Sequence, residues 1–144
     1  MKYEEAKKIA EELIEKSKEC GDDIKKISNV IVIASRMLMS IGEWVALARA
    51  AHSQEEAIYK QQYANTYLTA KAQGRIHFEG IDVKVTDSVA DAYARNRTNY
   101  ENVVVKESEA KAWEFLRYDL VEFINALKHR DNVLQEEGRK AYGG

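Results

Sequence analysis

Residues 24 to 74 read IKKISNVIVIASRMLMSIGEWVALARAAHSQEEAIYKQQYANTYLTAKAQG, and this stretch contains no proline. Proline and glycine interrupt helices most often, and Gly42 is the one glycine that the stretch contains before Gly74. The apolar residues that recur at helical spacing are Ile27, Val30, Ile31, Ala34, Met37, Leu38, Ile41, Val45, Ala48 and Ala51. The pattern predicts one long helix over residues 23–73, with a kink at Gly42 or, as the alternative, a break between His52 and Gln54.

The predicted length of this helix has a consequence for assembly. About 50 residues at roughly 1.5 Å each extend about 75 Å. The rest of a 144-residue chain is too short to cover the apolar side of such a helix alone. We therefore expect the protein to self-associate, as a homo-oligomeric ring or bundle.

Shorter elements surround the long helix. Gly21 is expected to end the first of them, and Thr86 or Asp87 to cap the helix that follows the middle of the chain. Between the long helix and this capped helix, alternation of apolar and polar residues around Glu79 and Gly80 is typical of a short β-hairpin or an extended loop. The predicted segments are a helix over 1–20, a hairpin or loop over 74–86, a short helix over 87–98 and a long helix over 101–139. The predicted fold is a single all-α domain, a long helical hairpin or bundle with this short insertion.

The charge and hydropathy of the chain limit its partners and its location. A formal net charge of −2 argues against a protein that coats duplex DNA by charge alone. No uninterrupted apolar run approaches the roughly 18 residues that suggest a membrane span. At the amino terminus, MKYEEAKKIAEELIEK alternates charges where a signal peptide has an apolar block. We expect a cytoplasmic protein without a membrane partner, in the host cytoplasm if a phage encodes it.

Sequence signatures of enzymes are missing. The chain has neither the G-x-x-x-x-G-K-[ST] phosphate loop nor the G-x-G-x-x-G dinucleotide turn. None of His52, His77 and His129 follows a glutamate by three residues, the spacing that di-metal helical bundles use. Cys20 is the single cysteine and is expected to be structural. We expect no catalytic residue, no metal and no cofactor.

The middle of the chain is the region where an anion is expected to bind. From Tyr59 to Thr98 there are six lysines and arginines against four acidic residues, a local charge of +2. Tyr59, Tyr63 and Tyr67 are four residues apart, so they share one face of a helix. Two interpretations remain open for these rings: they pack against aromatic residues of the last helix, or they stack on unpaired bases while nearby cations contact the phosphates.

The candidate nucleic-acid-binding residues follow from the second interpretation. They are Lys60, Tyr63, Tyr67, Lys71, Gln73, Arg75, Lys84, Arg95 and Arg97. Gln73 enters this set through a family resemblance rather than through its own chemistry. Several copies in a ring would multiply such contacts and raise the avidity for a single strand.

The carboxy-terminal stretch WEFLRYDLVEFINALKHR resembles the last long helix of the UvsY family, the recombination mediators of T-even bacteriophages. The positions that carry the resemblance are Trp113, Leu116, Ile124, Leu127, Lys128 and Arg130. KVTDSVADAYARNRTNYENV is similar to the short capped helix before it, and the order of elements is similar over roughly residues 25 to 140. The family's Lys-x-Arg at the end of its long helix falls on Lys71 and Gln73, with Arg75 two positions later.

This resemblance implies a function. Members of the family are small helical proteins that form rings, bind single-stranded DNA and help a strand-exchange recombinase replace single-strand-binding protein. The leading hypothesis is therefore a non-enzymatic recombination mediator with single-stranded DNA, a recombinase and single-strand-binding protein as partners. The alternative is a helical scaffold or adaptor that acts only through protein contacts.

Overall fold

The computed structural model describes residues 2–141. In this range the chain forms four helices and one two-stranded antiparallel sheet. In chain order the elements are α1 (Tyr3–Lys18), α2 (Ile24–Gln73), β1 (Arg75–Phe78), β2 (Ile81–Lys84), α3 (Asp87–Arg97) and α4 (Glu101–Ala141). The prediction of a mostly helical fold with a short β-hairpin is confirmed, and self-association remains a prediction.

Helix α2 begins at a local cap and then continues without interruption. Gly21 has a φ of 55°, and the Asp23 carboxylate accepts a hydrogen bond from the Lys26 amide at 3.2 Å. The helix has 50 residues and passes through Gly42 and through residues 52–54. The prediction of one long helix is confirmed, and the alternative break between His52 and Gln54 is wrong.

The chain divides into two compact units. Unit 1 consists of Met1–Leu47 with Lys111–Gly144, and unit 2 is the continuous segment Ala48–Ala110. The single-domain prediction stays a prediction, and each unit is described by itself.

Unit 1 contains a core between the start of α2 and the second half of α4. Its buried cluster is Cys20, Ile27, Val30 and Leu127, with Ile31, Phe123 and Leu134 packed against it. Trp44 and Trp113 stack with ring centroids 5.7 Å apart, and Tyr3 meets Trp113 edge-on at 5.4 Å. The burial of Cys20 in this cluster is consistent with a structural role.

Unit 2 has a small core in which two alanines allow close packing. Ala70 of α2 and Ala90 of α3 are fully buried and lie against Ile76 of β1. The partly buried side chains around them are Tyr67, Phe78, Val83, Val85, Val89 and Tyr93. The Thr86 hydroxyl accepts a hydrogen bond from the Val89 amide, which confirms Thr86 as the cap of α3.

The hairpin of unit 2 has a two-residue loop and two distinct faces. Glu79 and Gly80 have φ values of 52° and 81°, as a type I′ turn requires. The register pairs Ile76 with Val83 on the apolar face that reaches the core. The opposite, exposed face consists of two cross-strand pairs, Arg75 with Lys84 and His77 with Asp82.

Helix α2 also meets the length and composition criteria of a membrane span. An 18-residue window within it has a mean hydropathy of 1.7, and 28% of that window is buried. The sequence analysis expected no membrane span because it looked only for an uninterrupted run of apolar residues. Helix α2 has no such run, but it has apolar residues on more than one side. Because a core helix of a soluble protein passes the same criteria, the absence of a membrane partner stays a prediction.

Candidate nucleic-acid interface

The tyrosine stripe of α2 is an aromatic row in unit 2. Tyr59 and Tyr63 have centroids 6.3 Å apart, Tyr63 and Tyr67 are 6.2 Å apart, and Tyr100 meets Tyr59 edge-on at 4.9 Å. All three rings of the stripe are half-buried. Their contacts within the unit are made with α3 and with Tyr100, which precedes α4. The rings therefore pack on protein, but on partners other than the aromatic residues of the last helix that the packing interpretation expected.

Two aspartates of α3 accept hydrogen bonds from two tyrosine hydroxyl groups of this stripe. Tyr63 donates a hydrogen bond to Asp91, and Tyr67 donates one to Asp87 at 3.2 Å. Each carboxylate also meets a cation: Arg95 Nε lies 3.1 Å from Asp91, and Lys71 Nζ lies 2.6 Å from Asp87. The result is two matching groups, each with one tyrosine, one cation and one carboxylate.

These hydrogen bonds shift the pKa values of both aspartates in the same direction. The Lys71 ammonium, followed by the Tyr67 hydroxyl, lowers the pKa of Asp87. The Tyr63 hydroxyl is the largest cause that lowers the pKa of Asp91, and Arg95 adds to it. Both carboxylates are therefore charged at neutral pH and neutralise the cations beside them.

Both carboxylates line the surface next to the stripe. Tyr63, Tyr67 and Leu68 line a shallow hollow together with Asp87 and Asp91. A phosphate that entered this hollow would meet two negative charges and cations that already have partners. Base stacking on Tyr63 and Tyr67 stays a prediction, and this arrangement does not favour it.

The hairpin presents cations without carboxylate partners. Arg75 and Lys84 lie directly opposite each other on its exposed face, where the Val85 amide donates to the Gly74 carbonyl at 2.9 Å next to them. Neither forms an ion pair with any residue in the range 2–141. Like charges in directly opposed strand positions repel each other, so an anion that bridges them relieves a cost of the fold.

The remaining candidates lie apart from this pair or have other contacts. Lys60 is paired with Glu56 at 3.3 Å one turn earlier on α2. Arg97 lies over the Tyr93 ring, with its guanidinium carbon 4.7 Å from the centroid. Gln73 is the exposed last residue of α2.

Sequence reasoning missed the roles of Asp87 and Asp91. It counted them as acidic residues in a charge balance, and Asp87 also as a possible cap of α3, although their spacing of four residues matches that of Tyr63 and Tyr67. That matched spacing was the available signal, because residues four apart on each of two packed helices can pair one to one, here in reverse order along the chain. Within residues 2–141 no three side chains of metal-binding type are grouped closely enough to hold an ion.

Comparisons with protein-family models, with curated proteins and with solved structures found no match to this chain. The likeness to the UvsY family therefore rests on the residues quoted above.

Proposed function

We propose that the protein binds single-stranded DNA through the exposed face of its β-hairpin. The observation that carries the proposal is the Arg75 and Lys84 pair, two opposed cations with no carboxylate partner in residues 2–141. Phosphate contacts of this kind are independent of base sequence, which suits a protein that must bind any strand. A chain with a net charge of −2 has to place its binding cations locally, and the opposed Arg75 and Lys84 would be such a local pair.

The biological role proposed for this binding is recombination mediation. The protein would hold a single strand and help a strand-exchange recombinase load in place of single-strand-binding protein. The likeness of residues 113–130 to the last helix of the UvsY family supports this role. No bond is made or broken in it, so the proposal requires only binding surfaces.

The binding step is tested with a labelled oligothymidylate at several salt concentrations. Arg75→Ala with Lys84→Ala should weaken binding and flatten the slope of log affinity against log salt by about 1.4, since each phosphate contact to a single strand contributes about 0.7. Lys18→Ala with Lys106→Ala is the matched control, because it removes two cations that already pair with glutamates and are not among the candidate residues. Native protein that leaves the oligonucleotide free at low salt would refute the proposal.

A second candidate function, an adaptor that acts through protein contacts, is favoured by the exposed apolar residues of α2 in unit 1. Met39 is 75% exposed and Leu47 is 60% exposed. Under this function DNA leaves the sedimentation of the protein unchanged, while a protein partner shifts it. Addition of the protein to DNA coated with a bacterial single-strand-binding protein separates the two functions, because only the mediator speeds recombinase loading.

A further inference from the structure

In the two matching groups of unit 2, carboxylates form hydrogen bonds with side chains that were expected to contact DNA. The groups are Tyr67, Lys71 and Asp87, and Tyr63, Arg95 and Asp91. In each group an aspartate of α3 accepts one O–H hydrogen bond and one charge-assisted hydrogen bond. The donors are a tyrosine and a cation in both cases.

A phosphodiester has the chemistry to replace each of these aspartates. It carries one negative charge, and its oxygens accept hydrogen bonds from tyrosine, lysine and arginine as a carboxylate does. Asp87 and Asp91 are four residues apart on α3, so their Cβ atoms are about 6 Å from each other. The backbone of a bound DNA strand also offers two neighbouring acceptors of this kind, in its successive phosphates.

The exposure of the pairs makes such a replacement feasible. In one pair the side chains of Lys71 and Asp87 are 40% and 81% exposed, and in the other those of Arg95 and Asp91 are 72% and 38% exposed. Ion pairs at this exposure contribute little net free energy because water competes for both partners. A strand already held at Arg75, which follows Lys71 by four residues along the chain, reaches these donors at high local concentration.

We propose that Asp87 and Asp91 of α3 are an internal substitute for two phosphates, which closes the tyrosine stripe of α2 and the two paired cations, one on each helix, to DNA. This inference rests on the proposed function, since it describes the regulation of the same surface. A strand that displaces the two carboxylates gains Lys71 and Arg95 as phosphate ligands and frees the hydroxyl groups of Tyr63 and Tyr67. The native protein therefore binds a single strand more weakly than its cations allow.

The test is Asp87→Asn with Asp91→Asn, titrated with a fluorescein-labelled oligothymidylate. Asparagine retains the size of aspartate and its hydrogen-bond acceptor, but it removes the negative charge. The variant should bind about threefold to tenfold more tightly than the native protein, with a salt slope steeper by about 1.4. Glu55→Gln with Glu79→Gln is the control: it removes the same charge from unit 2 without releasing a paired cation.

A second pair of substitutions shows whether the gain comes from the released cations. Lys71→Ala with Arg95→Ala should change the affinity of the native protein by less than about twofold, because these cations are occupied there. In the asparagine background the same substitutions should abolish the gain. If the double asparagine variant fails the circular dichroism check for helix content, Asp87→Asn and Asp91→Asn alone each provide half of the effect, a slope change of about 0.7.

The outcomes separate this inference from the proposed function. If native binding depends on Arg75 and Lys84 but the asparagine variants bind no better than the charge control, the aspartates only fasten α3 and the inference is overturned. If neither the native protein nor the asparagine variants bind, the proposed function and the inference are both overturned. Tighter binding by the asparagine variants that requires Lys71 and Arg95 supports the inference, and dependence of native binding on Arg75 and Lys84 supports the proposed function.

Discussion

At the residue scale, the hydrogen bonds of Asp87 and Asp91 link the stability of the fold to pH. Both carboxyl pKa values are lowered from the ordinary 3.8, chiefly by Lys71 at Asp87 and by Tyr63 at Asp91. A lowered pKa means that the contribution to stability is complete above the ordinary value and is lost as the pH falls through the folded value. In the alkaline range the stability contribution is lost as the pH rises, because the pKa values of Tyr63 and Lys71 are raised from 10.0 and 10.5.

This linkage predicts the pH profile of Asp87→Asn with Asp91→Asn. The native protein should be more stable than the variant by a constant amount between roughly pH 5 and pH 9. The difference should shrink below the ordinary carboxyl value of 3.8 and also above 10. Urea denaturation at a series of pH values measures it. A difference as large at pH 3 as at pH 7 would show that these carboxylates do not titrate as the contacts require.

The pairing of these residues marks where sequence reasoning reached its limit. The spacing of Tyr63 and Tyr67 correctly predicted one shared helix face. Their acceptors, however, lie 20 and 28 residues later in the chain, and local periodicity says nothing about contacts at that separation. A charge count over the segment treated Lys71 and Arg95 as available cations. Whether a cation is available depends on which carboxylate the fold brings to it.

At the scale of the elements, the hairpin tests how far turn chemistry specifies a structure. Both loop residues have positive φ, yet the first of them is Glu79, a residue type that rarely adopts this conformation. A type I′ turn prefers Asn-Gly, in which asparagine tolerates the left-handed region. The hairpin forms despite Glu79 because Ile76 and Val83 pack against the core of unit 2.

Glu79→Asn should therefore stabilise the protein. Relief of the unfavourable backbone conformation is expected to raise the free energy of unfolding by about 0.5–1 kcal/mol. Glu79→Ala is the control, since it also removes the charge but tolerates positive φ no better than glutamate. Thermal and urea denaturation measure the change. Equal effects of asparagine and alanine would assign the gain to charge and not to the backbone.

The same elements show what the sequence could predict about the fold. The missing prolines and the helical recurrence of apolar residues predicted α2 correctly, and alternation around Glu79 and Gly80 indicated the hairpin. The choice between hairpin and loop stayed open because Glu-Gly is a weak turn signal. It is decided by the close packing of Ala70 and Ala90 against Ile76, which no local pattern reveals.

At the scale of the whole molecule, the question is what covers the apolar residues that the fold leaves exposed. Within unit 1, one side of α2 packs in the core through residues such as Ile27 and Val30. Met39 and Leu47 are eight residues apart on the same helix and remain largely exposed. Large exposed apolar residues that share a helix face are typical of an interface with another protein chain. Self-association is the simplest way to bury them.

Met39→Glu with Leu47→Glu should therefore reduce self-association while leaving each chain folded. Placing two carboxylates in an apolar interface between chains costs several kcal/mol unless they find partners, so sedimentation velocity should show a shift to smaller species at equal protein concentration. Asn125→Glu with Asn132→Glu adds the same charge at exposed polar positions of α4 and should leave sedimentation as in the native protein.

A ring that gathers several copies of Arg75 and Lys84 gains avidity, so the Met39 and Leu47 variant should also lose affinity for long single strands more than for short ones. Loss of assembly without that length dependence would mean that each chain binds DNA independently.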